Sequence, residues 1–463
     1  MDVVLISTYE LGHQPFGLAE PAACLRSRGD SVSTLDLAVE GWDEDLIRKA
    51  DLAAFYVPMH TATRLAARLI PRVKHLNPRA HIAAYGLYAP TNEAYLRELG
   101  VGTVLGGEFE PGLMALAERL ESGVSCMTGE QLEPRISLAG QRFLVPDRSD
   151  LPALERYAFL RMPDGGTRVT GYVEASRGCK HRCRHCPVVP VYNGRFRAVP
   201  REIVLADLRQ QVMAGARHMT FGDPDFFNGP THAMRIVEAL HEEFPELSYD
   251  VTIKVEHLLA HDRLLPKLKS TGCLFVTTAV ESVDDRILGL LEKGHTRQDF
   301  YRVVSIFDEL GLTLSPTFVA FTPWTTLSGY RDLLAALTEL RLMGAVAPVQ
   351  LAIRLLIPPG SRLLELQAIR DRVGPLEQAA LVYPWSNADP KVDELQAEVQ
   401  RVVQQAAEKP REQLFREVWT ITHAYLARTP PPLPIVANRA LSAELSEPWY
   451  CCAEPTDGQF ADL

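Results

Sequence analysis

The feature that most constrains this chain is a run of three cysteines, Cys179, Cys183 and Cys186, spaced C-x3-C-x2-C within ASRGCKHRCRHCPVV. Eight cysteines in 463 residues are too few for a disulfide scaffold. Five of the eight fall in two groups, the second being the adjacent pair Cys451 and Cys452. The opening MDVVLISTYE has no basic residues before its short apolar run and reads as a strand rather than a leader. No stretch reaches the ~20 apolar residues that span a bilayer. The expected setting is therefore a reducing cytoplasm, with no membrane partner, where grouped cysteines point to metal or redox chemistry. A zinc site closes with four ligands, and His181 or His185 is available as the fourth. A [4Fe–4S] cluster held by three thiolates instead keeps one iron open to another ligand.

At ~150 residues per domain the length suggests about three domains. Apolar content of 46% and charged content of 23% are ordinary globular values. With 48 basic and 58 acidic side chains the net charge is −10, which argues against nucleic acid as a bulk partner. Residues 1–122 alternate apolar runs (3–7, 31–35, 52–57, 81–85 and 103–105) with helical patterns (18–28, 43–48, 61–75, 92–99 and 112–120). Such alternation predicts a doubly wound, Rossmann-like parallel sheet, with ligands beyond its carboxyl ends. Residues 123–165 lack periodicity and read as a linker. A second alternation follows, with strands at 171–175, 218–221, 248–253, 274–279, 313–319 and 349–356. Six βα units over 166–365 predict a partial (β/α)6 barrel, short of the closed eight-fold form. In residues 366–463, Val392, Leu395, Val399, Val402, Val403, Leu414, Phe415, Val418 and Trp419 fall near helical spacing. They read as a helical region packed on the rest.

The cysteine spacing, at the end of the first barrel strand, resembles the radical S-adenosylmethionine (radical SAM) superfamily. The resemblance implies a [4Fe–4S] cluster on Cys179, Cys183 and Cys186 whose open iron chelates SAM. Further segments match in order. FGDPDFFN resembles the second-strand motif and implies that Gly222 lets the backbone approach SAM and that Asp223 accepts from its ammonium. AVESVDD resembles the fourth-strand motif and places Glu281 near the ribose or amino group. Lys254, in VTIKVEHL, is a cofactor-binding candidate at the third strand end, where it would meet a carboxylate. Pro323-Trp324 stands where the family often has a Gly-rich turn, and Ser361 replaces Thr after the sixth strand.

A doubly wound domain before such a barrel resembles the cobalamin-binding class, which makes cobalamin a candidate third cofactor. No D-x-H-x-x-G motif occurs: His13 lacks the Asp two before it and the Gly three after it, so histidine ligation of cobalt is not expected. The ending Cys-Cys-Ala-Glu-Pro resembles the CUAEP/CCAEP-tail radical SAM group, in which some members carry selenocysteine at the position of Cys452. That resemblance implies catalytic roles for Cys451 and Cys452, with Trp449 and Tyr450 as anchors. Cys24 and Cys273 read as core residues, and Cys126 carries no signal.

Three functions fit these readings. One is reductive SAM cleavage that modifies a small-molecule substrate, with or without cobalamin-dependent methyl transfer. A second moves the aminocarboxypropyl group of SAM to arsenic or selenium held by the tail thiols. The third is a non-enzymatic Fe–S redox sensor. The first two need an electron donor such as flavodoxin or ferredoxin.

Overall fold

The computed structural model describes residues 1–123, 131–405, 409–433, 443–447 and 459. The expectations for Cys126, Trp449, Tyr450, Cys451 and Cys452 lie outside these residues.

Strands β1 (Asp2–Ser7), β2 (Ser31–Asp36), β3 (Leu52–Tyr56), β4 (His81–Tyr85) and β5 (Thr103–Gly107) form a parallel sheet in the order β2-β1-β3-β4-β5. Their side chains alternate between two cores. Val3 and Leu5 pack against helices Phe16–Arg28 and Glu110–Glu121, while Val4 and Ile6 face Ile70 and Val73 of helix His60–Leu76. Both faces are covered, which is why the strands read as near-continuous apolar runs.

The segment read as a linker has structure of its own. β6 (Ile136–Ser137) adds a sixth parallel strand beside β5, and β7 (Phe159–Arg161) pairs antiparallel with β8 (Thr167–Val173). Strands of two and three residues are too short to show a period of two. The segment thus stitches the edge of one sheet to the edge of the next.

β8 opens the second sheet. After it, β9 (Ser176–Gly178) and β10 (Phe196–Ala198) form an antiparallel ribbon that brackets the cysteine run. β11 (His218–Phe221), β12 (Ser248–Thr252), β13 (Cys273–Glu281) and β14 (Thr313–Phe318) continue the sheet in parallel from β8. The expected sixth strand needs correction. Residues 348–351 form a 3-10 turn, and only one parallel bridge, Phe321–Arg354, remains. Gln350 explains this, because its side-chain carbonyl accepts the Phe318 backbone N–H at 3.0 Å. That donor at the edge of β14 is thereby satisfied without a neighbouring strand. Helices Pro390–Gln404 and Arg411–Tyr425 bury Val392, Leu395, Val399, Phe415, Val418 and Trp419 in the core of the second sheet. β15 (Glu444–Leu445) pairs antiparallel with β7.

Candidate functional site

The carboxyl ends of both sheets face one cavity of about 320 Å³. The first sheet contributes Glu10, His13, Phe16, Tyr56, Met59, Tyr88 and Phe109; the second contributes all three grouped cysteines, Gly222, Lys254, Glu281 and Lys293.

β8 ends at Val173, and the β9–β10 ribbon then turns the chain into the cysteine loop. Gly178 makes that turn at φ +71°, and a Cβ there would lie 2.5 Å from the Arg195 carbonyl oxygen. Cys179 and Cys183 are buried and Cys186 is partly exposed, and none of the three is in a disulfide. The Cys179 Sγ receives the His181 backbone N–H at 3.5 Å, and the Lys254 ammonium lies 3.6 Å from Cys183 Sγ. Burial pushes the Cys179 thiol up, an effect that His181 N–H and Lys254 oppose. The loop is pinned from the far side: Arg184 N–H donates to the Leu291 carbonyl, and Ser361 Oγ donates to the Arg184 carbonyl at 3.2 Å. Ser361 therefore braces the cysteine loop.

The donor set separates zinc from a cluster. Around a tetrahedral zinc with ~2.3 Å bonds, sulfurs sit about 3.8 Å apart. Among the described residues, the only three donors close enough to share one ion are Cys179, His181 and Asp225, without Cys183 or Cys186. His181 Nε2 faces Asp225 at 3.2 Å, and His185 Nε2 faces Glu281 at 3.1 Å. Three spread thiols on one loop with an ammonium beside them suit a larger, polynuclear iron–sulfur group.

Glu281 lies where the β13–β14 register shifts, at φ +67°, an uncommon conformation for a non-glycine residue. Its Oε1 accepts from Lys293 Nζ and faces His185 Nε2, both at 3.1 Å. Burial would raise its pKa, but Lys293 and His185 overturn that and hold the carboxyl well below the usual range. Lys293 is raised in turn, as Glu281 and the Cys183 and Cys186 sulfurs outweigh its own burial. Sequence reasoning singled out Glu281 and named His185 only as a possible zinc ligand; it missed Lys293 and the pairing of both with Glu281, which come from tertiary proximity.

Gly222 lines the cavity, and a Cβ there would lie 1.9 Å from Tyr172 Oη. Asp223 is the next residue along the chain. It is buried outside the cavity lining and accepts from Ala175 N–H at 3.0 Å and from the Ser176 hydroxyl. Burial raises it to about 6, against those hydrogen bonds. Asp223 thus fixes the residues between β8 and the cysteine loop. Lys254 lies 3.5 Å from Glu256 and borders the cavity. Trp324 is buried in a separate apolar cluster and does not line the cavity.

Arg177, two residues before Cys179, is 6% exposed and joins the two sheets. It pairs with Glu20, with Glu110 at 2.7 Å and with Glu174 at 3.3 Å, and lies 3.7 Å from Glu108. Burial pushes Glu174 up to about 7, with Arg177 pulling the other way. No helix among the described residues is long and apolar enough to cross a membrane.

Comparison with known proteins agrees with this geometry. Residues 173–325 match the model of the radical SAM superfamily. The chain is similar to a hopanoid C-3 methylase from Methylococcus capsulatus, with 26% identity over 67% of this chain and 62% of that protein. It is also similar to a tRNA-2-methylthio-N(6)-dimethylallyladenosine synthase from Chlorobium phaeobacteroides, with 23% identity over 50% of this chain and 53% of that one. The chain thus spans less than two thirds of either relative. The fold resembles OxsB, a cobalamin-dependent S-adenosylmethionine radical enzyme, with TM-score 0.69 and 16% identity over 91% of this chain and 71% of that one. It also resembles the radical S-adenosylmethionine methyltransferase TsrM from Kitasatospora setae, with TM-score 0.62 and 16% identity over 94% of this chain and 91% of that one. Radical SAM proteins use a [4Fe–4S] cluster and SAM, and the donor set described above fits the first. With the three-cysteine loop inside the matched residues, the chain carries a radical SAM domain over residues 173–325 and is an enzyme.

Proposed function

We propose that this enzyme is a cobalamin-dependent radical SAM methyltransferase acting on a small molecule held between its two sheets. The observation that carries the reading is the single cavity shared by the carboxyl ends of both. Cys179, Cys183 and Cys186 would hold the cluster, Gly222 and Glu281 would border SAM, and the wall of Leu11, Phe16, Tyr56, Met59, Tyr88 and Phe109 suits the flat face of a corrinoid. His13 borders the cavity but is stacked on Tyr172 at 4.9 Å, and burial lowers it to about 4, so it is a neutral imidazole held by its neighbour.

When bound, the cluster supplies the electron that splits SAM and the corrinoid supplies a methyl carrier. The protein's own part is electrostatic and steric. Lys254, 3.6 Å from Cys183 Sγ, and Lys293 place positive charge beside the cysteine loop. Glu281, kept ionised by Lys293, is an acceptor ready for a hydroxyl or ammonium of SAM. Burial of both sheet ends excludes water from a radical reaction. The fold likenesses to OxsB and TsrM and the similarity to a methylase support methyl transfer.

The test is anaerobic reconstitution with iron, sulfide and a corrinoid, then reduction with SAM and identification of the nucleosides. S-adenosylhomocysteine together with 5′-deoxyadenosine is the expected pair. Methylthioadenosine would instead establish aminocarboxypropyl transfer. That alternative draws on one observation: the Tyr9 hydroxyl, next to cavity residues Glu10 and Leu11, donates to Glu447, four residues before Cys451. The radical SAM domain over residues 173–325 favours an enzyme over the non-enzymatic sensor.

A further inference from the structure

Residues 180–197 hold five basic side chains, Lys180, Arg182, Arg184, Arg195 and Arg197, and no acidic one, in a chain of net charge −10. Two are committed within the fold: Arg184 to Glu292 at 2.5 Å, and Arg197, 3.6 Å from Glu108. Lys180, Arg182 and Arg195 are exposed and make no ion pair with a described carboxylate. None of the three lines the cavity. They form one patch. A Cβ on Gly194 would lie 3.3 Å from the Arg182 Cγ and 3.4 Å from the Lys180 carbonyl oxygen, so the turn bearing Arg195 rests on the other two. Lys180 is held over the Phe196 ring at 4.7 Å. Lys180 directly follows Cys179, and Arg182 directly precedes Cys183. Backbone neighbours are about 3.8 Å apart, so the patch forms the outer side of the loop whose inner side carries the thiols.

We propose that this patch is the docking surface for an acidic protein that carries single electrons, of the reduced flavodoxin or ferredoxin kind. The proposal rests on the reading that the three thiols hold a reducible cluster. Reducing that cluster takes one electron from the carrier, which is oxidised by one electron, and no atom changes hands. Electron transfer weakens steeply with distance, so the carrier must come close to the cysteine loop. A cationic patch on an otherwise acidic molecule draws an acidic partner to that face and repels it elsewhere.

The test compares two reductants on the cluster-loaded enzyme: flavodoxin hydroquinone, which is acidic, and the methyl viologen radical cation, which is small and positive. The charge-reversed variant Lys180→Glu/Arg182→Glu/Arg195→Glu is set beside the wild type. Flavodoxin binding, followed by titration, and flavodoxin-driven bleaching of the cluster should each weaken by about tenfold or more, as for charge pairs across an interface. Viologen-driven bleaching should stay within about twofold, because no docking is needed. Raising the salt should slow flavodoxin in the wild type and spare viologen, a measurement that needs no variant. Wild-type rates of flavodoxin reduction in the variant, or indifference to salt, would overturn the proposal. So would the same charge reversal abolishing tRNA binding while leaving flavodoxin untouched, which would assign the patch to a nucleic acid. A wild-type cluster that viologen cannot reduce would remove the cluster reading itself, a failure distinct from failed docking.

Discussion

On the side of the first sheet, the shared cavity is bounded by Leu11, Phe16, Tyr56, Met59, Tyr88 and Phe109. On the side of the second it is bounded by three thiols, Lys254, Lys293 and Glu281. The first wall is mostly apolar and aromatic, and burial works against charge on its titratable members: His13 is lowered to about 4, and Glu10 is raised well above the usual carboxylate range. The second wall keeps its charges by pairing them, as in Glu281 with Lys293 and His185. A wall without charge offers shape and excludes water, whereas a wall of paired charges can bind ions and electrons without large rearrangement. The two walls therefore predict different kinds of damage on mutation.

The largest effect is expected from the charged wall. Replacing Cys179, Cys183 or Cys186 with Ala should abolish iron retention and lower SAM cleavage by about 10³-fold or more, since a bound metal group needs its full ligand set. Iron analysis and nucleoside release measure both. A variant that keeps its iron would break the contrast at its root.

Next comes the joint between the walls. Arg177→Met removes the cation among Glu20, Glu108, Glu110 and Glu174. Breaking such a buried network typically costs about 3–5 kcal/mol, which denaturant unfolding should register as a lower midpoint. Gly222→Ala puts a methyl against Tyr172 and should cost about 1–3 kcal/mol, the usual range for overpacking. It should also weaken SAM binding, measured by titration. Unchanged SAM affinity would remove Gly222 from the cofactor wall.

The smallest effect is a pH dependence. Glu174 has a folded-state pKa raised to about 7 from an ordinary 4.5, so between those values the native state holds the proton more tightly than the unfolded chain. Stability from this group is therefore present below the lower value and lost as pH rises through the window. The melting temperature of the apo-protein should fall from pH 5 to pH 7.5, and Glu174→Gln should flatten that slope.

The charged wall was the more legible of the two in sequence, because its chemistry is carried by local spacing. The three cysteines could be read from their intervals, and Glu281 from the segment around it. What escaped was long-range. Lys293 and His185 acquire meaning only beside Glu281, and Arg177 only beside glutamates more than sixty residues away. Asp223 was singled out by its motif, but its hydrogen bond from the Ser176 hydroxyl is visible only in the fold. The first sheet was legible as five strands and missed its sixth, Ile136–Ser137, which has no pattern to read. The sixth barrel strand was expected from an apolar run, yet there the Gln350 side-chain carbonyl caps the Phe318 N–H and pairing is confined to one bridge at Phe321–Arg354.

Arg177 also bears on movement. It sits in β9, the strand that leads directly into Cys179, while three of its carboxylate partners belong to the first sheet. The domain joint and the anchor of the cysteine loop are one piece of backbone. The two sheets cannot swing apart like a clam shell without dragging the cysteine loop with them. Any opening of one half against the other would therefore be transmitted directly to the cysteines that follow Arg177.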